Sequence, residues 1–340
     1  MTYSLNRRMV LTSGVAGGAA LCGALPAFAK SNSLLNVSFS TTSALYGGYD
    51  PLFSANWQKQ AGNEVRVRVS TGGSGSQARA VIEGLPADVV TLAVAWDIDA
   101  IAKTGLLAPN WQSRLPDNST PYYSTIVFLV RKGNPKQIKD WDDLVRPGVQ
   151  IAAPNPKNSG GARWNVLAAW SYALRHYGSV AGAKTYLQKF FANVPVLSPS
   201  SHESTLNFTQ RGVGDVLVGL ECEALQSIKQ AAPGAFELVV PSLSIKAESP
   251  VAVVDKNVDR RGTRAIAQAY LEQLYNQDAQ DIVAQSFFRP VDQVVLQKYA
   301  QHFPALEMVN IDSAFGGWAK VQTEFFAAGG IFDQVYSGGV

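Results

Sequence analysis

The chain has 340 residues, of which 46% are hydrophobic and 16% charged, and a formal net charge of +3. That length and apolar content support a large core and, by length, two domains. The near-neutral balance excludes the basic footprint of a nucleic-acid binder, and two cysteines, Cys22 and Cys222, are too few for a cysteine zinc cluster.

Residues 1–29, "MTYSLNRRMVLTSGVAGGAALCGALPAFA", read as an export signal removed near Ala29. Arg7 and Arg8 give a basic start, Met9 to Leu25 is apolar and small, and Ala27-Phe28-Ala29 suits a cleavage site. The run is too short and glycine-rich for a membrane span. The arginine pair leaves both the twin-arginine and the general secretory route open. Leu21 is larger than the residue that usually precedes a lipid-bearing cysteine, which argues against Cys22 as an anchor. Removing the segment takes away two arginines and no acid, leaving 27 basic against 26 acidic residues. The mature chain is expected to be soluble and periplasmic, and Cys222, then alone, has no internal disulfide partner.

Short β-branched runs follow at 34–39, 65–70, 87–95, 124–131, 149–154, 215–221, 236–241 and 250–255. Helical patterns lie between them, which predicts α/β architecture with mainly parallel sheets. In 163–177, Val166, Trp170 and Ala173 share one stripe; in 264–275, Ile266, Tyr270 and Leu274 do. Trp164 and Trp170 read as packing residues. Turn-rich "LPDNSTPYYST" near 115–125 and "SLSIKAESP" near 242–250 predict two chain crossings. The first lobe then holds 30–122 plus 246–340, the second holds 123–245, and a cleft lies between them, a frequent ligand location.

Two turns share an unusual make-up: "STGGSGSQARA" at 70–80 and "PNPKNSGGARWN" at 154–165. Each joins an apolar run to a helix-like run and contains no acid. Ligand crevices in open α/β sheets lie beyond the carboxyl ends of strands, and a helix start offers unpaired N–H groups with a partial positive charge. Glycine permits close backbone approach, and serine adds a hydroxyl donor. A third such turn is "SPSSHESTLNF" at 198–208, where Ser200 and Glu203 have capping-box spacing. A fourth follows the first strand at Ser40. Any one of these is equally an ordinary capped loop; four together point to an anion seat.

Other chemistries find less support. No Gly-Lys pair exists for a P-loop, and "GGSGSQ" lacks the last glycine of the dinucleotide fingerprint. His176, His202 and His302 form no metal-ligand spacing. Ser74 is followed by Gly75-Ser76, which departs from the hydrolase elbow. His202 beside Ser201 and Ser204 leaves an exported ester hydrolase open, and Glu221 with Glu223 leaves a carboxylate pair open against the plainer reading of solvated side chains.

The segments "GGSGSQARAVIEGLPADVVTLAVAWDIDAIAKTGLL", "STIVFLVRKGNPKQIKDWDDLV", "PNPKNSGGARWNVLAAW", "FTQRGVGDVL" and "FGGWAKVQTEFFAAGGIFDQVY" closely resemble the bacterial periplasmic sulfate-binding proteins, the solute receptors of sulfate and thiosulfate ABC importers. The resemblance spans about 34–336. It implies a two-lobed, type II-like fold, each lobe a mostly parallel sheet flanked by helices, with a hinge between. It also implies a monomer that binds sulfate, thiosulfate or a related oxyanion and docks on membrane permease subunits, with no catalysis, cofactor or metal. Carried over by position, the family's donors fall on the amides of Ser40, Ser74, Gly160, Gly161 and Ser201 and on the hydroxyl of Ser159. Four positions depart from its pattern. Ser40 stands where the family has Asp. Ser201 and His202 stand where the family has Ala and Arg, and Leu220 stands where it has a donor Trp. These leave a different oxyanion or an organic sulfur compound open as the ligand.

Overall fold

The computed structural model describes residues 32–336, so the predicted export signal lies outside the described residues. β1 (Ser33–Phe39) is buried on both faces after its first residue, as a strand covered by helices on either side must be. It pairs in parallel with β2 (Arg66–Gly72) and β3 (Val89–Thr91). The returning segment Val251–Val253 joins antiparallel to β3 and completes a four-stranded sheet. Helices α1 (Ser43–Ala61), α2 (Ser74–Ile82) and α3 (Ala95–Lys103) follow the three strands in turn.

A second sheet of five strands is built from the middle of the chain. Its members are β4 (Ile126–Arg131), β5 (Ile151–Pro154), β6 (Leu197–Ser198), β7 (Val216–Leu220) and β8 (Phe236–Val239), in the order β6-β5-β7-β4-β8. β5 pairs in parallel with β6 and β7, and β4 runs antiparallel to β7 and β8. Its helices are α4 (Gly160–Tyr177), α5 (Val180–Ala192), α6 (Ser201–Thr209) and α7 (Glu221–Gln230). The fold is therefore the two-lobed α/β arrangement that the sequence predicts. α8 (Arg264–Glu272), continued by a tight turn at Gln273–Tyr275, buries Ile266, Tyr270 and Leu274 as its stripe requires.

The run 87–95 departs from expectation, since β3 ends at Thr91. Leu92, Ala93 and Val94 stay buried but leave the ladder. The Leu92 amide donates to Pro250 O at 3.1 Å and the Ala93 amide to Ser74 Oγ at 3.1 Å. Hydrophobic β-branched sequence continues, but its backbone partners are turns rather than a strand.

The chain passes between the sheets at Tyr122–Ser124 and Ala247–Glu248, and these segments pair antiparallel with each other. Arg289–Pro290 adds a third strand. Residues 308–336 then pack on the helices of the second sheet. Trp318 meets Trp164 at 4.7 Å between ring centroids, Phe325 meets Trp170 at 5.1 Å, and Phe332 meets Phe191 at 5.3 Å. Lys157 pairs with Asp333 at 2.6 Å. Turn residues mark where a chain crosses, but only these aromatic contacts tell which sheet the tail joins.

The first lobe closes around one buried carboxylate. Asp88, fully buried, accepts from the Leu35 amide (2.7 Å), the Thr263 hydroxyl (2.5 Å) and the Arg261 guanidinium (3.0 Å). It thereby ties β1 to the segment leading into α8. Asp88→Ala strands the guanidinium and two donors, and is expected to cost about 3–5 kcal/mol in denaturant unfolding. A loss below about 1 kcal/mol would show that the network does not hold the lobe.

Candidate functional site

Three helices start at one place. The first main-chain bonds within α2, α4 and α6 are Gln77 N to Gly73 O, Arg163 N to Ser159 O and Ser204 N to Ser200 O. Amides before those residues have no carbonyl within the helix to bond. Two of them are capped: Ser159 Oγ accepts from Ala162 N at 3.3 Å, and Ser200 Oγ from Glu203 N at 3.1 Å. The latter is one half of the capping box that the sequence predicts. Neither α2 nor α4 has an acid in its first turn, so nothing there cancels the positive end of the helix.

These starts line one cavity of about 20 Å³. Every residue predicted for the site is on its wall: Ser40, Ser74, Ser159, Gly160, Gly161, Ser201, His202 and Leu220. Gly72 and Gly73 of the first Ser/Gly turn and the capping Ser200 are there too, and Phe39, Thr41 and Ala93, which sequence reasoning did not single out, complete it. No lysine or arginine is among these wall residues. On a scale where about 10–15 Å³ takes one water, the space suits a small ion.

The closeness depends on two glycines. A Cβ on Gly160 would stand 2.8 Å from the Ala93 Cβ, which belongs to the first lobe. A Cβ on Gly161 would collide with the Ser201 hydroxyl and stand 3.6 Å from a Leu220 methyl. Both residues have ordinary helical backbone, so it is space and not dihedral freedom that calls for glycine.

The hydroxyls divide their work. Ser74 Oγ donates to Asp97 Oδ2 at 2.5 Å and accepts from Ala93 N, which leaves its amide as the group free for a ligand. Ser159 and Ser201 share a 3.0 Å hydrogen bond between their hydroxyls. Among the described residues no histidine ring joins that pair; His202 sits exposed at the rim. Leu220 is 4% exposed and presents carbon to the cavity.

Contacts between the lobes surround the cavity. Asp97 also receives Arg163 NH1 at 3.3 Å from across the cleft, and the same guanidinium donates to Pro156 O through Nε. Trp164 Nε1 donates to Ala93 O at 2.9 Å, and Thr41 Oγ1 donates to Glu223 Oε1 at 2.8 Å. Asp97 is in the first turn of α3. That acid at a helix start is the one signal in the sequence that marks it.

A model of the family described as bacterial extracellular solute-binding protein matches residues 48–289. The chain belongs to that family. It is 54% identical over 308 residues to the sulfate-binding protein of Salmonella typhimurium, covering 90% of this chain and 94% of the relative. It is 45% identical to the thiosulfate-binding protein of Pseudomonas aeruginosa, covering 97% and 99%. Among solved structures, the sulfate-binding protein SubI from Mycobacterium tuberculosis superposes with a TM-score of 0.79 at 33% identity, over 86% of this chain and 99% of that one. The sulfate- and thiosulfate-binding group is the one that the sequence resembles.

Gly160→Ala tests the approach of the lobes. Alanine favours the helix by about 1 kcal/mol, so the melting temperature is expected to hold or rise. The added methyl is expected to cost about 1–3 kcal/mol of closure and to weaken the binding of any small anion seated between the lobes, with sulfate as the probe, by about 5- to 150-fold. Calorimetric titration beside thermal melting checks this; undiminished affinity would mean that the lobes do not close through Gly160.

Proposed function

We propose that this chain is the periplasmic receptor of an ABC importer, holding sulfate or thiosulfate between its lobes and presenting it to membrane permease subunits. The observation that carries the reading is the convergence of three helix starts and their serine hydroxyls on one small cavity walled without lysine or arginine. Fixed dipoles and N–H donors stabilise an anion there without a counterion. The relatives named for sulfate and thiosulfate support the choice of ion. We take the moving bodies to be 30–122 with 246 to about 307, and 123–245 with the tail that packs on it. Closure is of the hinge type, about the paired crossings. Export through the segment 1–29 and a monomeric state belong to the same proposal.

Two alternatives fare worse. An organic sulfur compound needs more room than a cavity of about 20 Å³ offers. An ester hydrolase needs a base beside its nucleophile, whereas Ser159 and Ser201 bond to each other and to an amide. Leu220 favours a related oxyanion more than either, because its methyls offer one ligand atom no donor.

Calorimetry of the chain from Lys30 onward with sulfate, thiosulfate, molybdate and phosphate tests the proposal. Sulfate and thiosulfate are expected to bind, and at a hundredfold excess over Kd to stabilise the fold by about 2.7 kcal/mol. No binding of either at millimolar concentration would sink the choice of ligand.

A further inference from the structure

Behind the cavity, one side chain from each lobe meets the other. Thr41 lines the cavity and donates to Glu223 Oε1 at 2.8 Å. Glu223 lies in the first turn of α7, three residues after Leu220 on the cavity wall. Thr41 is therefore interposed between the cavity and a carboxylate of the opposite lobe. Glu223 is only 6% exposed, and this is the carboxylate's one hydrogen bond among the described residues. Its remaining surface faces a groove of about 260 Å³ between α6 and α7, lined also by His202, Gln226 and Phe236. That groove opens a route for protons from solvent.

We propose that Glu223 is a positioning residue for anion binding: it holds the Ser40–Thr41 turn against the second lobe, and it takes up a proton through the groove when a dianion occupies the cavity. The proposal rests on the reading of the cleft as a dianion site. Two negative centres separated by one threonine repel, and protonation of the carboxylate relieves the repulsion while its carbonyl oxygen still accepts from Thr41. Burial already pushes the Glu223 carboxyl up to about 7, against the opposing Thr41 hydrogen bond.

The other charged neighbours are engaged. Within α7, Glu221 is paired with Arg289 at 2.6 Å and Lys229 lies over the Phe287 ring. Cys222 is a thiol that burial pushes well up. On packed elements, Glu203 of α6 pairs with Arg211, Arg131 of β4 bonds Gly214 O, and Glu237 of β8 accepts from Gly133 N. On the cavity wall itself, which Glu223 does not line, His202 is the one acid–base group.

The sign follows from linkage. An anion that raises the carboxyl further binds the protonated form more tightly. Affinity is then highest below about 7 and falls as pH rises through that value. Sulfate stays a dianion across this range and adds no dependence of its own.

The test is calorimetry of the chain from Lys30 onward with sulfate, at pH values about two units either side of neutrality, in buffers of different ionisation enthalpy. Wild type is expected to lose affinity by up to about tenfold per pH unit above 7 and to take up a fraction of a proton on binding. Glu223→Gln is expected to bind with a flat profile and no uptake, and His202→Asn, whatever its affinity, to keep the wild-type pH dependence and proton uptake. Thr41→Val, which removes the bond that opposes the shift, moves the midpoint to higher pH and reports on Glu223 even if the glutamine variant does not fold. A flat wild-type profile, or one abolished in His202→Asn and kept in Glu223→Gln, overturns the inference. Absence of sulfate and thiosulfate binding at every pH overturns the receptor reading itself.

Discussion

The cleft depends on how closely the first turn of α4 approaches its two neighbours. The field of a helix end decays within about one turn, so several ends act on one ion only if they nearly touch. Gly160 makes this possible toward Ala93 and Ser74 of the first lobe, and Gly161 toward Ser201 and Leu220 of the second. Side chains at either position would move a helix start back by the width of a methyl group. The short loop ahead of α4 is held as well. Ser159 caps the helix, and Asn155 O accepts from the amides of Asn158 and Ser159.

Several contacts across the cleft are hydrogen bonds. Asp97 with Arg163, Ala93 O with Trp164, and Glu223 with Thr41 are hydrogen bonds that water can replace when the lobes part. Net, such bonds are worth about 0.5–1.5 kcal/mol, or about 1.5–3 with a charged partner. The sheets themselves are sealed by buried carbon, from Val37 and Val90 in one to Phe128 and Val218 in the other. On the receptor reading proposed above, an interface of this kind would close with geometric specificity and open at modest cost, each lobe moving as a unit. Asp97 links the two levels, since it orients Ser74 at the start of α2 while receiving the guanidinium from the opposite lobe.

Central strands such as β1 and β4 were legible in the sequence because burial on both faces leaves apolar runs, and the edge strand β2 because it alternates Val with Arg; helix stripes were legible by their own period. The Ser/Gly turns were legible because no acid interrupts them. Ala93 was not: in sequence it is one more small residue in 87–95, yet its carbonyl and amide serve Trp164 and Ser74. Trp164 reads correctly as a packing residue, being 1% exposed, and its indole N–H crosses the cleft as well. Periodicity reports which face is buried and says nothing of a polar atom at its edge. The tail is a similar case, because its aromatics pair with Trp164, Trp170 and Phe191 across more than a hundred residues of chain.

The contrast between α4 and α7 shows what the arrangement selects. Both follow a strand of the second sheet, but α7 begins with Glu221 and Glu223 and fills its own positive end. Its first amides are also taken, Glu221 N by Thr125 O and Cys222 N by Ser124 Oγ. α4 begins Gly-Gly-Ala and leaves that end open. The nearest guanidinium, Arg163, is turned to Asp97 and Pro156 instead of the cavity, so attraction for an anion resides in the backbone, where it cannot swing away. The serine pair is the adaptable part. When one hydroxyl of Ser159 and Ser201 donates to the other, one O–H remains for a ligand, and either serine can supply it. Such a wall would offer an anion fixed backbone donors and one adjustable hydroxyl, beside the carbon of Leu220.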